Sequence, residues 1–90
     1  MMKFKAKFSA NAEKYFAKLP KDTQKRIIDK LCFFESSGEP LKFAKNLQGS
    51  KKHYRFRIGD YRAIFTLKDN GDVVILLILK ISHRKEIYSQ

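Results

Sequence analysis

Seven consecutive apolar side chains, Val73-Val74-Ile75-Leu76-Leu77-Ile78-Leu79, constrain this 90-residue chain more than any other feature. The run is far shorter than the ~18 apolar residues that a membrane-crossing helix needs. It is rich in β-branched residues, follows the turn signal Asn70-Gly71, and continues as Lys80-Ile81. These features predict a strand over Val73–Ile81, central in its sheet and covered on both faces. Such a strand needs partners, and the rest of the chain has to supply them.

Two partners lie just upstream. Lys52–Ile58 and Tyr61–Lys68 read as strands joined by the two-residue turn Gly59-Asp60, and Asn70-Gly71 joins the second to the apolar run. At the start of the chain, Lys3-Phe4-Lys5-Ala6-Lys7-Phe8 alternates strictly, as a half-buried strand does. Ser9 or Asn11 can cap the helix that follows, where Ala12, Tyr15, Phe16 and Leu19 recur on one face until Pro20 stops it. A second helix over about Lys21–Ser36 groups Ile27, Ile28, Leu31 and Phe34, and ends before Gly38 and Pro40. Residues 41–51 read as a loop with a partial helical turn. The expected fold is α+β of order βααβββ: a four-stranded, mainly antiparallel sheet, two N-terminal helices on one face, and a short C-terminal helix from Arg84 onward. Residues 1–90 are expected to form a single domain, in keeping with their number.

Charge narrows the function. Lys and Arg number 20 against 9 Asp and Glu, for a net charge of +11. Between Lys42 and Arg62 there are seven basic residues and one acidic residue, Asp60. A solvated surface or a basic tail can show such a run. Here the basic residues are threaded through strand-like sequence with aromatics between them, which favours a patch for a polyanion, nucleic acid foremost. A membrane surface fits less well, because no basic amphipathic helix exposes large apolar residues. The first eight residues lack the apolar stretch of a signal peptide. The single cysteine, Cys32, excludes an internal disulfide and fits a reducing compartment. A soluble, cytoplasmic protein with no membrane partner is expected.

The hairpin turn at Gly59-Asp60 dictates a register. It pairs Ile58 with Tyr61, Arg57 with Arg62, Phe56 with Ala63 and Arg55 with Ile64. Tyr54, Phe56, Ile58, Tyr61, Ala63 and Phe65 then form a core face, and Tyr15 is assigned to the core as well. The other face carries His53, Arg55, Arg57 and Arg62. Continued through Asn70-Gly71, the same register pairs Arg62 with Leu79 and Ile64 with Leu77. That puts Ile75, Leu77, Leu79, Ile81 and His83 on the arginine face. Two arginines directly opposite each other repel, so either an anion belongs between them or both guanidinium groups splay into water.

The segments Lys45-Asn46-Leu47, Tyr54-Arg55-Phe56-Arg57-Ile58-Gly59-Asp60-Tyr61-Arg62 and His83-Arg84-Lys85-Glu86-Ile87-Tyr88 resemble the RelE/ParE toxin superfamily across essentially the whole chain. The resemblance implies a toxin of a toxin–antitoxin pair, neutralised by a cognate acidic antitoxin. RelE-like members cleave messenger RNA, typically on the ribosome. ParE-like members share the fold but inhibit DNA gyrase without a nuclease site. The ending with His83, Arg84 and Tyr88 favours the RelE-like branch. On that resemblance, Arg62 contacts the scissile phosphate, Arg55 and Arg57 stand where RelE-like enzymes place basic residues, and Arg84 belongs to a C-terminal basic motif. Tyr88 matches a tyrosine that stacks on or orients the substrate base. The expected catalytic set is Arg57, Arg62, His83, Arg84 and Tyr88. The expected RNA-binding set is Lys45, Lys51, Lys52, His53, Arg55 and Lys85.

The chemistry is consistent with those residue types. Metal-free RNA cleavage by the neighbouring 2′-hydroxyl needs a base, positive charge on the phosphorane, and an acid for the leaving 5′-oxygen. Guanidinium groups suit the phosphate, being permanently charged and bidentate. Where many RelE-like members carry lysine, Arg55 and Arg57 cannot give up a proton. Histidine titrates near neutrality, which makes His83 the candidate for proton transfer, with a surface histidine at a strand end as the lesser reading. Tyr88 can also be a packing residue, and Glu86 a solvated one. No His/Asp/Glu cluster has metal-ligand spacing, so no metal or other cofactor is expected. A gyrase inhibitor, or an inactive RNA-binding protein of the same fold, stays open beside the nuclease.

Overall fold

Alternating lysine and apolar residues make Lys3–Phe8 the first strand, β1, with its lysines exposed and Phe4, Ala6 and Phe8 turned inward. The structure, a computed structural model, describes residues 3–85. Ser9 stops the strand and caps α1 (Ala10–Ala17), its Oγ accepting the Ala12 amide at 3.2 Å. Pro20 separates α1 from α2 (Lys21–Ser36). Gln24 of α2 reaches back, donating from Nε2 to the Phe16 and Leu19 carbonyls at 3.1 and 3.0 Å. Those carbonyls lie at the end of α1 and just past it, where helical partners run out.

After α2 a short 3₁₀ turn, Pro40–Phe43, leads into β2 (Ala44–Asn46). The chain then forms β3 (Tyr54–Ile58), β4 (Tyr61–Asp69) and β5 (Val73–His83). The sheet order is β1-β5-β4-β3-β2, with β1 parallel to β5 and every other pair antiparallel. The expected four-stranded sheet is therefore corrected to a five-stranded mixed one. The missed strand, β2, is three residues long and reads Ala-Lys-Asn, a sequence with little strand preference of its own. The pairing of Ala44 with Phe56, Lys45 with Arg55 and Asn46 with Tyr54 makes it a strand. The expected C-terminal helix is corrected as well. Strand β5 runs two residues further than predicted, and beyond it only Arg84 and Lys85 are helical among the described residues, too few to form a helix. The remainder of that expected helix, from Glu86 on, lies outside them.

Both helices pack on one face of the sheet. Ile27, Leu31 and Phe34 of α2 and Ala12 of α1 meet Phe56, Phe65, Leu76 and Ile78, all buried. The aromatic rings stack in series. Phe34 lies 4.2 Å from Phe56, Phe56 lies 4.3 Å from Phe65, and Phe65 lies 5.5 Å from Tyr54, with ring planes within 26° at each step. Removing one fully buried ring of this kind costs about 3–5 kcal/mol. At the free edge of β1, Glu35 Oε2 accepts the Ala6 amide at 2.6 Å, so α2 occupies a donor that another strand could otherwise pair with.

The β4–β5 register departs from the prediction in two steps. The turn is centred one residue later, on Gly71-Asp72, closed by the Asn70 amide on the Val73 carbonyl at 2.9 Å. Asp69 Oδ1 holds the Gly71 amide at 2.8 Å, and Gly71 takes a φ of 93° that suits glycine. This step moves pairings by two and leaves every facing unchanged. The second step is a bulge: Ile64 pairs with Lys80 but Phe65 with Ile78, so Leu79 is an extra residue. The bulge reverses all facings beyond it. Arg62 stands opposite Ser82, neither Leu79 nor Ile81, while Ile81 joins the core and His83 pairs with Tyr61. Strict alternation after Val74, Leu76 and Ile78 would drive Lys80 into the core. The bulge keeps it out.

Strand β5 is interior to the sheet but not covered on both faces. On the side away from the helices, Ile75, Leu77 and Leu79 are only half-buried. Around them lie Lys3, Lys5 and Lys7 at one edge and Lys45, Arg55, Arg57 and Arg62 at the other.

Candidate functional site

The hairpin β3–β4 builds the site. Arg57 and Arg62 stand directly opposite each other across the pair, on the face away from the helices. Their Cβ atoms come within ~5.5 Å in such a pair. Strand β2 adds Lys45, opposite Arg55. A pocket of about 120 Å³ results, lined by Phe43, Lys45, Arg55, Arg57 and Arg62. Of these five described lining residues four are cations and none is a carboxylate. Three are arginines, whose charge persists at every working pH. Coulomb repulsion among them favours an anion that bridges two guanidinium groups.

Four of the predicted residues thus converge: Arg57 and Arg62 of the catalytic set, and Lys45 and Arg55 of the RNA-binding set. The other described members of the two sets do not line this pocket. His53 sits before β3, its Nδ1 2.7 Å from Ser50 Oγ. Lys51 and Lys52 lie beside Tyr54 and Thr66 in a separate shallow depression, where Thr66 Oγ1 donates to the Lys52 carbonyl at 2.9 Å. The sequence expectation that His83 shares the arginine face is overturned by the bulge. Its ring meets Tyr61 edge-on at 5.1 Å, and its Nδ1 accepts the Lys85 amide at 3.1 Å. Arg84 lies at the Gly59-Asp60 turn, where its amide donates to the Asp60 carbonyl at 2.8 Å and its guanidinium is 4.0 Å from the Asp60 carboxylate. Lys85 is exposed, the last described residue. Tyr88 and Glu86 lie outside the described residues.

Phe43 was absent from the predicted set. The signal was in the sequence: an aromatic between Lys42 and Lys45 in a segment otherwise read as a loop. Next to it, Lys42 pairs with Glu39 at 2.8 Å. Hydrogen bonding to Glu39, and then its charge, hold the Lys42 ammonium above its ordinary pKa. That lysine's charge is partly offset locally, so the pocket's field comes from Lys45 and the arginines. Among the described residues, no group of three or more His, Cys, Asp or Glu could hold a metal ion. No helix among them is long and apolar enough to cross a membrane.

Comparison with known proteins places the fold. The family described as ParE toxin of type II toxin-antitoxin system, parDE, matches over residues 6–88. A comparison with curated protein sequences finds no match. Among solved structures, the chain is similar to the toxin-antitoxin complex RelBE2 from Mycobacterium tuberculosis. Identity is 26% and the TM-score 0.72, over 92% of this chain and 100% of that one. It is also similar to the archaeal RelE-RelB complex from Pyrococcus horikoshii OT3, at 29% identity and a TM-score of 0.66, over 92% and 97%. Toxin RelE from E. coli in the free state shares the fold at 22% identity and a TM-score of 0.69, over 98% and 93%. The chain belongs to the RelE/ParE superfamily of toxins of type II toxin–antitoxin systems.

Proposed function

We propose that this toxin is a ribosome-dependent endoribonuclease that cleaves messenger RNA without a metal and so inhibits translation. The observation that carries the reading is the Arg57/Arg62 cross-strand pair, joined by Arg55 and Lys45 around one pocket with no carboxylate among its described lining residues. In the proposed reaction the 2′-oxygen attacks the adjacent phosphorus and the bond to the 5′-oxygen breaks. A 2′,3′-cyclic phosphate and a 5′-hydroxyl result, with one proton removed from the 2′-hydroxyl and one delivered to the 5′-oxygen. Arg57 and Arg62 supply fixed charge where the phosphorane gathers it, a role commonly worth ~3–4 kcal/mol per well-placed donor. Lys45 and Arg55 hold the flanking backbone, and Lys51, Lys52, His53 and Lys85 extend the basic track for RNA. Arg84 and Tyr88 are the proposed contribution of the C-terminal segment. No histidine is among the described residues that line the pocket, and His83 faces the other way. Proton transfer therefore falls to His83 only if the end of β5 rearranges on the ribosome.

A cognate acidic antitoxin is the proposed protein partner. The toxin-antitoxin complexes among the similar structures support it, and so does a surface of +11 that would otherwise hold cellular RNA indiscriminately. Two specific observations favour a second reading, a ParE-like inhibitor of DNA gyrase: the family description that matches is the ParE one, and His83 stands apart from the arginines. Toeprinting of a translated message separates the two. Cuts inside codons that require ribosomes are expected. Intact message together with loss of gyrase supercoiling would transfer the assignment to the second reading.

A further inference from the structure

The row of stacked rings in the core does not end inside it. Phe43 stacks on Phe34 at 5.2 Å and 27°, and so extends the series Phe34, Phe56, Phe65 and Tyr54 by one ring at the sheet edge. Phe34 beneath it is 4% exposed, whereas Phe43 is 44% exposed. One face of the Phe43 ring is therefore spent on the core. The residue also lines the arginine pocket. Its rotation is restrained from the side, since Phe33 meets it edge-on at 5.3 Å and 64°. An apolar lid over Phe34 needs only the buried half of such a ring. The half left over is a flat, apolar, pre-oriented surface beside four cations.

We propose that Phe43 is a stacking platform for one nucleobase of a nucleic acid whose phosphate is held by Arg55, Arg57 and Arg62. The inference rests on the reading of the pocket as an RNA site and adds what lies next to the phosphate. A base laid on Phe43 continues the stack already running through the core, and loses little to ordering because the ring is fixed beforehand. Aromatic stacking is tolerant of sequence, since every base has a π-face. The arginines alone would hold any phosphate; the ring makes the site prefer a nucleotide.

The test compares adenosine 5′-monophosphate with ribose 5-phosphate, which carry the same sugar and phosphate and differ by the base. In NMR titrations at low salt, the wild type should bind the nucleotide roughly 5- to 100-fold more tightly, the usual size of one base–aromatic stack. Phe43→Leu keeps an apolar lid on Phe34 but offers no ring, so it should bind both ligands equally and retain the wild-type melting temperature. Phe43→Trp should restore the preference. Equal affinity of the wild type for the two ligands overturns the proposal, as does a preference that survives Phe43→Leu or failure of the nucleotide to bind at millimolar concentration. Loss of antitoxin affinity in Phe43→Leu, with the nucleotide preference intact, would instead make the ring a protein contact. No cleavage enters the measurement. A base preference in a toxin that cuts no message would leave the platform standing and remove the nuclease reading, while cleavage without a base preference would do the reverse.

Discussion

Arg57 and Arg62 are opposed at a separation where like charges destabilise a sheet, yet both line one pocket together with Arg55 and Lys45. A pair kept for an anion differs from a pair kept for packing in what its loss does. Arg57→Thr and Arg62→Thr are each expected to leave the fold intact, or to stabilise it by a few tenths of a kcal/mol, because a repulsion is removed and β-branched threonine suits a strand. Both should abolish toxicity in growing cells. Thermal melts of the two variants check the first half, and a marked fall in melting temperature would make the arginines structural. His83 sits at the other extreme. With its ring against Tyr61, His83→Gln should lower single-turnover cleavage by less than the ~10²-fold that an acid–base group contributes. A loss of ~10²-fold or more, accompanied by disappearance of an inflection near neutrality in the pH–rate profile, would show that the strand end turns over when the ribosome binds.

Among the elements, the junction of β1, α1 and β5 carries the most consequence for the site. Ser9 caps α1 through the Ala12 amide, receives β5 through its own amide on the Ile78 carbonyl at 2.8 Å, and donates from Oγ to the carbonyl of the bulged Leu79 at 3.3 Å. One hydroxyl thus links the helix start to the residue that reverses the facing of the C-terminal strand end. Ser9→Ala should cost about 1–2 kcal/mol, the upper range for a lost cap. At ~4–8 °C per kcal/mol for a domain of this size, the drop is easily read in a calorimeter. Hydrogen exchange of the β5 amides beyond Leu79 should quicken in the same variant, whereas those of Val74–Ile78 should not. The sequence holds a trace of the bulge, although strict alternation had put Ile81 and His83 on the arginine face. Even-numbered residues of β5 face the core as far as Ile78, which makes Lys80 an impossible next member and Ile81 the natural one. Strand β2 carries no such mark. Its three residues become a strand only because β3 presents an edge for them to pair with.

For the molecule as a whole, positive charge is spread along two edges of one sheet face, with half-buried Ile75 and Leu77 between them. This arrangement suits a partner that is acidic and also brings apolar side chains. The association rate with the antitoxin should fall by an order of magnitude or so from low to physiological salt, as long-range steering is screened. The dissociation rate should change far less, because apolar contacts do not respond to screening. Stopped-flow mixing over a salt series measures both rates, and an association rate independent of salt would remove charge from the account of this interface.

Some of this was determined by the sequence alone. Patterns of period two and period four, the Ser9 cap, Pro20 and the glycine turns are local signals, and they specified both helices and four of the strands. The tight Gly59-Asp60 turn has only one register to offer, so the Arg57/Arg62 pair was legible from the residues on either side of it. Family membership came from the same residues. What tertiary structure decided was everything that depends on a neighbour: the pairing of β2, the reversal of facing beyond Leu79, and the placing of Phe43 at the rim of the arginine pocket. The reason is physical. Local backbone preferences distinguish a helix from a strand, but the free energy that seats a weak edge strand, or tolerates an extra residue in a ladder, comes from burying Ile81 and excluding Lys80 in a core assembled from distant parts of the chain.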